Sequence, residues 1–406
     1  MRPFPQRSMP YRLAAGLLSI LLLFGCGPES GPGGEIKANL MPLPLPARNY
    51  WPTKGWQIRE LSGADRWKAL DEYAFKRTGS EEERAGIRTD GVVIIKDGYL
   101  VYERYAAGYD ENTVHLTWSV SKSIMQALIG IAIKDGLLDL DTKMRKFYPE
   151  LKKEKPITVR NLLHMSSGLD ANEGYESGPL KSTVIAMLYT RGRHDMARFC
   201  ASVPLRADPG TYVYYSSCDT NILSGMLKEA IKAAASSPEE GLQEYAEFPW
   251  RRLFNPLGME GTIWERDGSN TFVGSSYVYA TPRNMAKLAF LYVNNGNWDG
   301  KQLLPDGWLD FTRTVAPGYT TTPHYKGWDE ANYAGQWYAN TGIPEAGVSA
   351  PWPSAPPDTF AALGHWGQSI FIIPSLDMIV VRTADDRDHT FDDDQFLKLA
   401  IEAVQK

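Results

Sequence analysis

Hydrophobic and polar positions follow two periods along this chain, and the periods are segregated. Residues 92–95 and 100–105 are runs of β-branched and aromatic residues joined through Asp97-Gly98, a strong hairpin signal. Residues 360–363, 369–373 and 378–382 are further short apolar runs, with Pro374-Ser375-Leu376-Asp377 turning the last two. Between these ends the period changes to that of helices. An almost wholly apolar stretch follows Ser119 and stops at Asp135-Gly136, a C-cap signature. Helices are also expected over 158–164, over 221–235 with Ile222, Leu223, Met226 and Leu227 on one side, and over 282–293. An amphipathic helix over 391–404 closes the chain. Strands at both ends and helices between predict an α+β fold. One antiparallel sheet is built from both termini, helices pack on its faces, and a mainly helical region over about 137–300 adjoins it.

The N-terminus reads as a processing signal. Arg2, Arg7 and Arg12 precede an apolar stretch over 13–24 that is short for a membrane span. It ends in Leu23-Phe24-Gly25-Cys26, which resembles a bacterial lipobox with Cys26 as the lipidated residue. Residues 1–25 are then a lipoprotein signal peptide. Residues 26–46, rich in Gly and Pro, are expected to be a flexible tether, and residues 47–406 the folded domain. The expected location is the periplasmic face of a membrane, the outer one where two exist, with the membrane as partner through the lipid. The net charge of −5 and the lack of a basic tract exclude nucleic acid as an expected partner. Neither C-x-x-C nor H-E-x-x-H occurs, so no metal and no cofactor are expected. Cys200 and Cys218 are either a disulfide suited to an oxidising compartment or two buried thiols.

Three polar clusters carry the candidate chemistry. Ser119 and Lys122, the chain's only S-x-x-K, sit one helical turn apart at a helix start. A serine at the positive end of a helix dipole with an amine beside it can be activated without histidine. Apolar residues follow, so Lys122 is carried inward. Tyr215 and Ser217 lie two apart in a segment expected to be extended or looped, so both can point one way, with Tyr212 and Tyr214 as core residues. An ammonium beside Tyr215 would favour its phenolate, giving a proton shuttle. Gly364-His365-Trp366-Gly367-Gln368 opens a C-terminal strand, where the amide of Gln368 and that of Ser119 could polarise a carbonyl oxygen. No G-x-S-x-G exists, which disfavours an α/β-hydrolase.

Taken in order, S-x-x-K, Tyr-x-Ser and His-x-Gly resemble the serine β-lactamase and penicillin-binding-protein superfamily. The closest likeness is to its class C-like branch of esterases, D-amino-acid peptidases and aminohexanoate-oligomer hydrolases. The likeness runs from about residue 85 to 384. It includes Ile157-Thr158-Val159-Arg160-Asn161-Leu162-Leu163-His164-Met165-Ser166-Ser167-Gly168-Leu169 and Tyr279-Ala280-Thr281-Pro282-Arg283-Asn284-Met285-Ala286-Lys287. It implies Ser119 as nucleophile, Lys122 as activating amine and Tyr215 as proton shuttle. Ser217 falls where asparagine is usual, His365 where the lysine of Lys-Thr-Gly is usual, and Gly367, Trp366 and Gln368 complete the binding strand. Ser217 has one donor where asparagine has two, and His365 is a weaker carboxylate anchor than lysine; both weigh against β-lactam turnover.

The implied reaction is hydrolysis of a small-molecule ester or amide through an acyl-enzyme. A β-lactamase or D,D-carboxypeptidase is the alternative within the same chemistry, and a membrane-tethered binding or sensor protein the alternative outside it. Trp337, Tyr338, Trp352 and Trp366 are candidates to line the acyl pocket. The sequence leaves the natural substrate and the oligomeric state open.

Overall fold

The computed structural model describes residues 44–406 except 64, 152–155, 176, 177, 179, 323–331, 345, 346 and 389. The signal segment, Cys26 and most of the tether lie outside the described residues. In chain order the helices are α1 (Lys68–Ala74), α2 (Val120–Lys134), α3 (Val159–Leu163), α4 (Thr183–Tyr189), α5 (Met196–Ser202), α6 (Ser217–Ala234), α7 (Pro238–Pro249), α8 (Asn255–Leu257), α9 (Pro282–Val293), α10 (Trp308–Arg313) and α11 (Asp393–Gln405). The strands are β1 (Thr89–Lys96), β2 (Tyr99–Tyr105), β3 (His115–Leu116), β4 (Ile263–Trp264), β5 (Val278–Ala280), β6 (Asn297–Trp298), β7 (Lys301–Gln302), β8 (Asn332–Tyr333), β9 (Tyr338–Ala339), β10 (Phe360–Gly364), β11 (Gln368–Ile373) and β12 (Met378–Ala384).

The main sheet has the order β2-β1-β12-β11-β10-β9-β8, and its pairs are antiparallel. The N-terminal hairpin therefore docks on the C-terminal strand, as the segregated periods predict. Asp97 and Gly98 turn that hairpin with φ of 51° and 84°. Alternation along β1 sends Val93 and Ile95 to one face and Val92 and Ile94 to the other. The first face packs against α2 and α9, and the second against α1 and α11 through Leu70, Phe396 and Ala400. Both faces are covered, so β1, β11 and β12 read as continuous apolar runs.

Helix α2 lies in the middle of the larger core, with every residue from Val120 to Ala132 buried. A helix apolar nearly all round has to be interior. Its start is pinned by the small sheet β3-β5-β4: Thr117 N and Oγ1 both donate to the Val278 carbonyl, and Val278 N donates to Ser121 Oγ. Helix α3 is closed by a capping box between Thr158 and Asn161. Cys200 and Cys218 form a disulfide that joins α5 to the first turn of α6.

Some expectations are corrected. The segment 212–216 is looped, within the expectation of an extended or looped run, but Ser217 is the first residue of α6 rather than part of that run. Trp337 is fully buried against Tyr292 and Phe360, and Trp352 packs on Phe371 in the opposite core. Both are structural fillings and line no acyl pocket, because the turn between β8 and β9 folds Trp337 into the larger core and the loop before β10 lays Trp352 on the smaller one.

Candidate active site

Trp118 adopts φ of 48°, in the left-handed region, and hands the chain to Ser119 at the N-cap of α2. A non-glycine residue there costs about 1–3 kcal/mol and is held by its surroundings. The Ser119 hydroxyl makes no capping hydrogen bond, so it is not spent on the helix end. Instead it accepts from Lys122 Nζ at 3.0 Å. The same Nζ donates to the Ser275 carbonyl at 3.1 Å and lies 4.8 Å from the centroid of the Tyr215 ring. Tyr215 also hydrogen-bonds Ser119 through its side chain. Lys122 from the same helical turn and Tyr215 from far along the chain thus converge on the Ser119 hydroxyl.

Burial sets the charge states. Lys122 is 1% exposed, and desolvation lowers its amine to about 8 while Glu173 pulls the other way. Tyr215 goes well above an ordinary phenol, chiefly through burial and then through Tyr338, Tyr333 and Glu173. The phenolate expected from the sequence is therefore not the resting form, because desolvation of a phenolate outweighs the attraction of one neighbouring amine. The amine is the group poised near neutrality to take a proton.

Ser217 faces the same centre, but its hydroxyl and its backbone N–H both donate to the carboxylate of Glu173, the latter at 2.9 Å. Glu173 is buried, and desolvation raises it, with Lys122 and Ser217 opposing. Asn221 Nδ2 links the Ser217 carbonyl at 3.1 Å to Ser275 Oγ at 2.9 Å. Asp219 is fully buried, accepts from Ser167 Oγ at 2.7 Å, and is pushed up to about 8 by burial. Glu173, Asn221 and Ser275 were not among the sequence candidates. Glu173 stands in Asn172-Glu173-Gly174-Tyr175, where no spacing marks it; only the shortness of Ser217, leaving space where asparagine is usual, hints at a partner.

Gly364 and Gln368 close the β10–β11 hairpin, and the turn between them leans on Trp118. The His365 and Trp366 rings lie 5.6 and 5.0 Å from Trp118, Tyr277 lies 6.4 Å from it, and Tyr175 stacks on His365 at 5.4 Å. The mouth of the site is therefore aromatic. The Gln368 side-chain amide donates to the Ala384 carbonyl, so that side chain braces β12 rather than the cleft. Gly367 has φ of 88°, and a Cβ there would meet Arg382 Nη1 at 2.5 Å. Tyr338 stacks 6.3 Å from Tyr215 and hydrogen-bonds it.

A model of the beta-lactamase family matches residues 74–404. The 6-aminohexanoate-dimer hydrolase of Paenarthrobacter ureafaciens is 24% identical over 325 residues, covering 77% of this chain and 76% of that protein. A family VIII carboxylesterase superposes with a TM-score of 0.61 at 14% identity over 86% of this chain and 99% of its own. A D-stereospecific amidohydrolase from Streptomyces sp. does so with a TM-score of 0.55 at 13% identity, over 83% and 97%. These likenesses agree with the antiparallel sheet and flanking helices described above. The chain belongs to the beta-lactamase family and is a hydrolase of that fold.

Proposed function

We propose that this hydrolase cleaves small esters or amides through an acyl-enzyme on Ser119. The observation that carries the reading is the contact of a buried amine, lowered by burial to about 8, with an uncapped serine hydroxyl. In acylation Lys122 Nζ takes the hydroxyl proton as Oγ attacks the carbonyl carbon, and the carbonyl electron pair moves onto oxygen. The backbone N–H groups of Ser119 and Gln368 receive that oxyanion. The proton passes from Lys122, with Tyr215 as neutral donor and acceptor, to the leaving alcohol or amine. Water then repeats the sequence on the ester.

Two features favour esters and simple amides over β-lactams. His365 is held among Trp118, Tyr175 and Trp366, and gives no fixed positive charge for a carboxylate. Ser217 has its only hydroxyl proton committed to Glu173. The names of the relatives, a dimer hydrolase of 6-aminohexanoate and a carboxylesterase, point the same way. We further propose lipidation of Cys26 and residence on the periplasmic side of a membrane, which loss of metabolic fatty-acid labelling in Cys26→Ala would test.

The test of the reaction is labelling by a fluorophosphonate together with a panel of short aryl esters, linear amides and nitrocefin. Labelling and ester turnover that vanish in Ser119→Ala support the reading. Undiminished hydrolysis in that variant removes it, and nitrocefin turnover at rates comparable with the esters would shift it to a β-lactamase.

A further inference from the structure

Lys122 and Glu173 stand at the two ends of one run of hydrogen bonds. The carboxylate accepts from Ser217 N and Oγ; the Ser217 carbonyl accepts from Asn221 Nδ2; that nitrogen donates its second hydrogen to Ser275 Oγ. The Ser275 carbonyl accepts from Lys122 Nζ, which reaches Ser119 Oγ. The run crosses α2, α6, the loop after α3 and the turn before β5, so no single element fixes it. We propose that Glu173 is a positioning residue of the acylation step: it is the buried anion that holds the charge of Lys122 and, through Ser217, fixes the circuit aiming that amine at Ser119. The inference rests on the proposed reaction of Ser119.

The geometry gives Glu173 few other uses. It is 6% exposed, and a buried carboxylate is retained only where a counter-charge and donors compensate it. Its two donors come from Ser217, and Lys122 and Glu173 each act on the other's charge. The other titratable groups that feel Glu173 are Tyr175, Tyr214, Tyr215, Tyr333, Tyr338 and Asp219. The tyrosines are raised by burial and stay neutral through the working range. Asp219 is the one competitor, and it needs a control.

An anion at this place does two things. It favours the ammonium form, so Lys122 becomes a base only at higher pH. It also stabilises the ammonium that forms when the Ser119 proton arrives, at the moment the oxyanion develops. The signature is a coupled change in the pH profile and its plateau. Loss of packing alone would lower the plateau and leave the profile where it was.

The experiment is the pH dependence of kcat/KM for an aryl ester in the whole protein and in Glu173→Gln, Glu173→Asp and Asp219→Asn. The acidic limb of Glu173→Gln is expected to move down by about one pH unit with a plateau roughly tenfold lower. Glu173→Asp, which keeps the charge, is expected to retain the limb, and so is Asp219→Asn. A limb that stays in place in Glu173→Gln, or that follows Asp219 instead, overturns the proposal. If Glu173→Gln does not fold, Ser217→Ala reads the same coupling. Losing one donor raises the carboxyl and discharges it sooner, so the limb moves down by a smaller step, and an unmoved limb overturns the proposal. Failure of the reaction itself is separate, because it appears as hydrolysis surviving in Ser119→Ala whatever Glu173 does.

Discussion

A Cβ on Gly364 would stand 2.3 Å from the carbonyl oxygen of Thr117, two residues before the candidate nucleophile. The hairpin that offers the Gln368 amide is thus seated on the backbone that offers the Ser119 hydroxyl. Backbone cannot swing away as a flexible side chain can. Gly364→Ala should push β10 and the loop before α2 apart, with a fall in kcat/KM of tenfold or more and a destabilisation of about 1–3 kcal/mol. Ester kinetics beside urea unfolding check it; unchanged kinetics would show that the hairpin takes no part.

Lys122 should separate stability from activity. A buried amine costs desolvation energy that Ser119 Oγ, the Ser275 carbonyl and Glu173 only partly return. Lys122→Met keeps the volume and removes the base. Activity is expected to fall by about 10²–10⁴-fold while the melting temperature changes little or rises. Kinetics and thermal unfolding on one preparation test both halves. A large loss of stability would mean that the amine is structural.

The pH profile has a definite sign. Only the neutral amine can accept the Ser119 proton, and burial places Lys122 at about 8. Below that value kcat/KM should fall roughly tenfold per pH unit, and above it the rate should level. Tyr215 stays a phenol through this range, so it adds no limb of its own. A rate independent of pH between 6 and 8, on the order of two decades in proton concentration, would rule out Lys122 as the base.

Much of this architecture is legible from local pattern. The Asp97-Gly98 hairpin, the Asp135-Gly136 stop of α2 and the start of α9 at Pro282 follow from turn and cap chemistry within a few residues. Ser119 and Lys122 were visible because one helix places both. Tyr215 was visible only through order along the chain. Glu173, Ser275 and Asn221 were not, since each acts across long sequence separations and belongs to no repeating spacing. Residue type also misled. Trp337 and Trp352 look like pocket linings, yet the turn between β8 and β9 and the loop before β10 fold them into two separate cores. The state of Tyr215 required burial, which no short motif encodes.

The disulfide should serve stability more than turnover. Cys200 and Cys218 are 18 residues apart and tie α5 to α6 next to Ser217. Closing a loop of that size stabilises by roughly 3 kcal/mol in the chain-entropy picture. The hydrogen bonds that hold Ser217 run to Glu173 and Asn221, not through sulfur. The double variant Cys200→Ala and Cys218→Ala is therefore expected to lose about that much stability in urea while keeping most of its kcat/KM well below its melting temperature. A thiol reductant should destabilise the unsubstituted protein by a similar amount and leave the double variant untouched. Collapse of activity in a still-folded double variant would instead make the disulfide part of the site, because it would show that α6 loses its register at Ser217 without it.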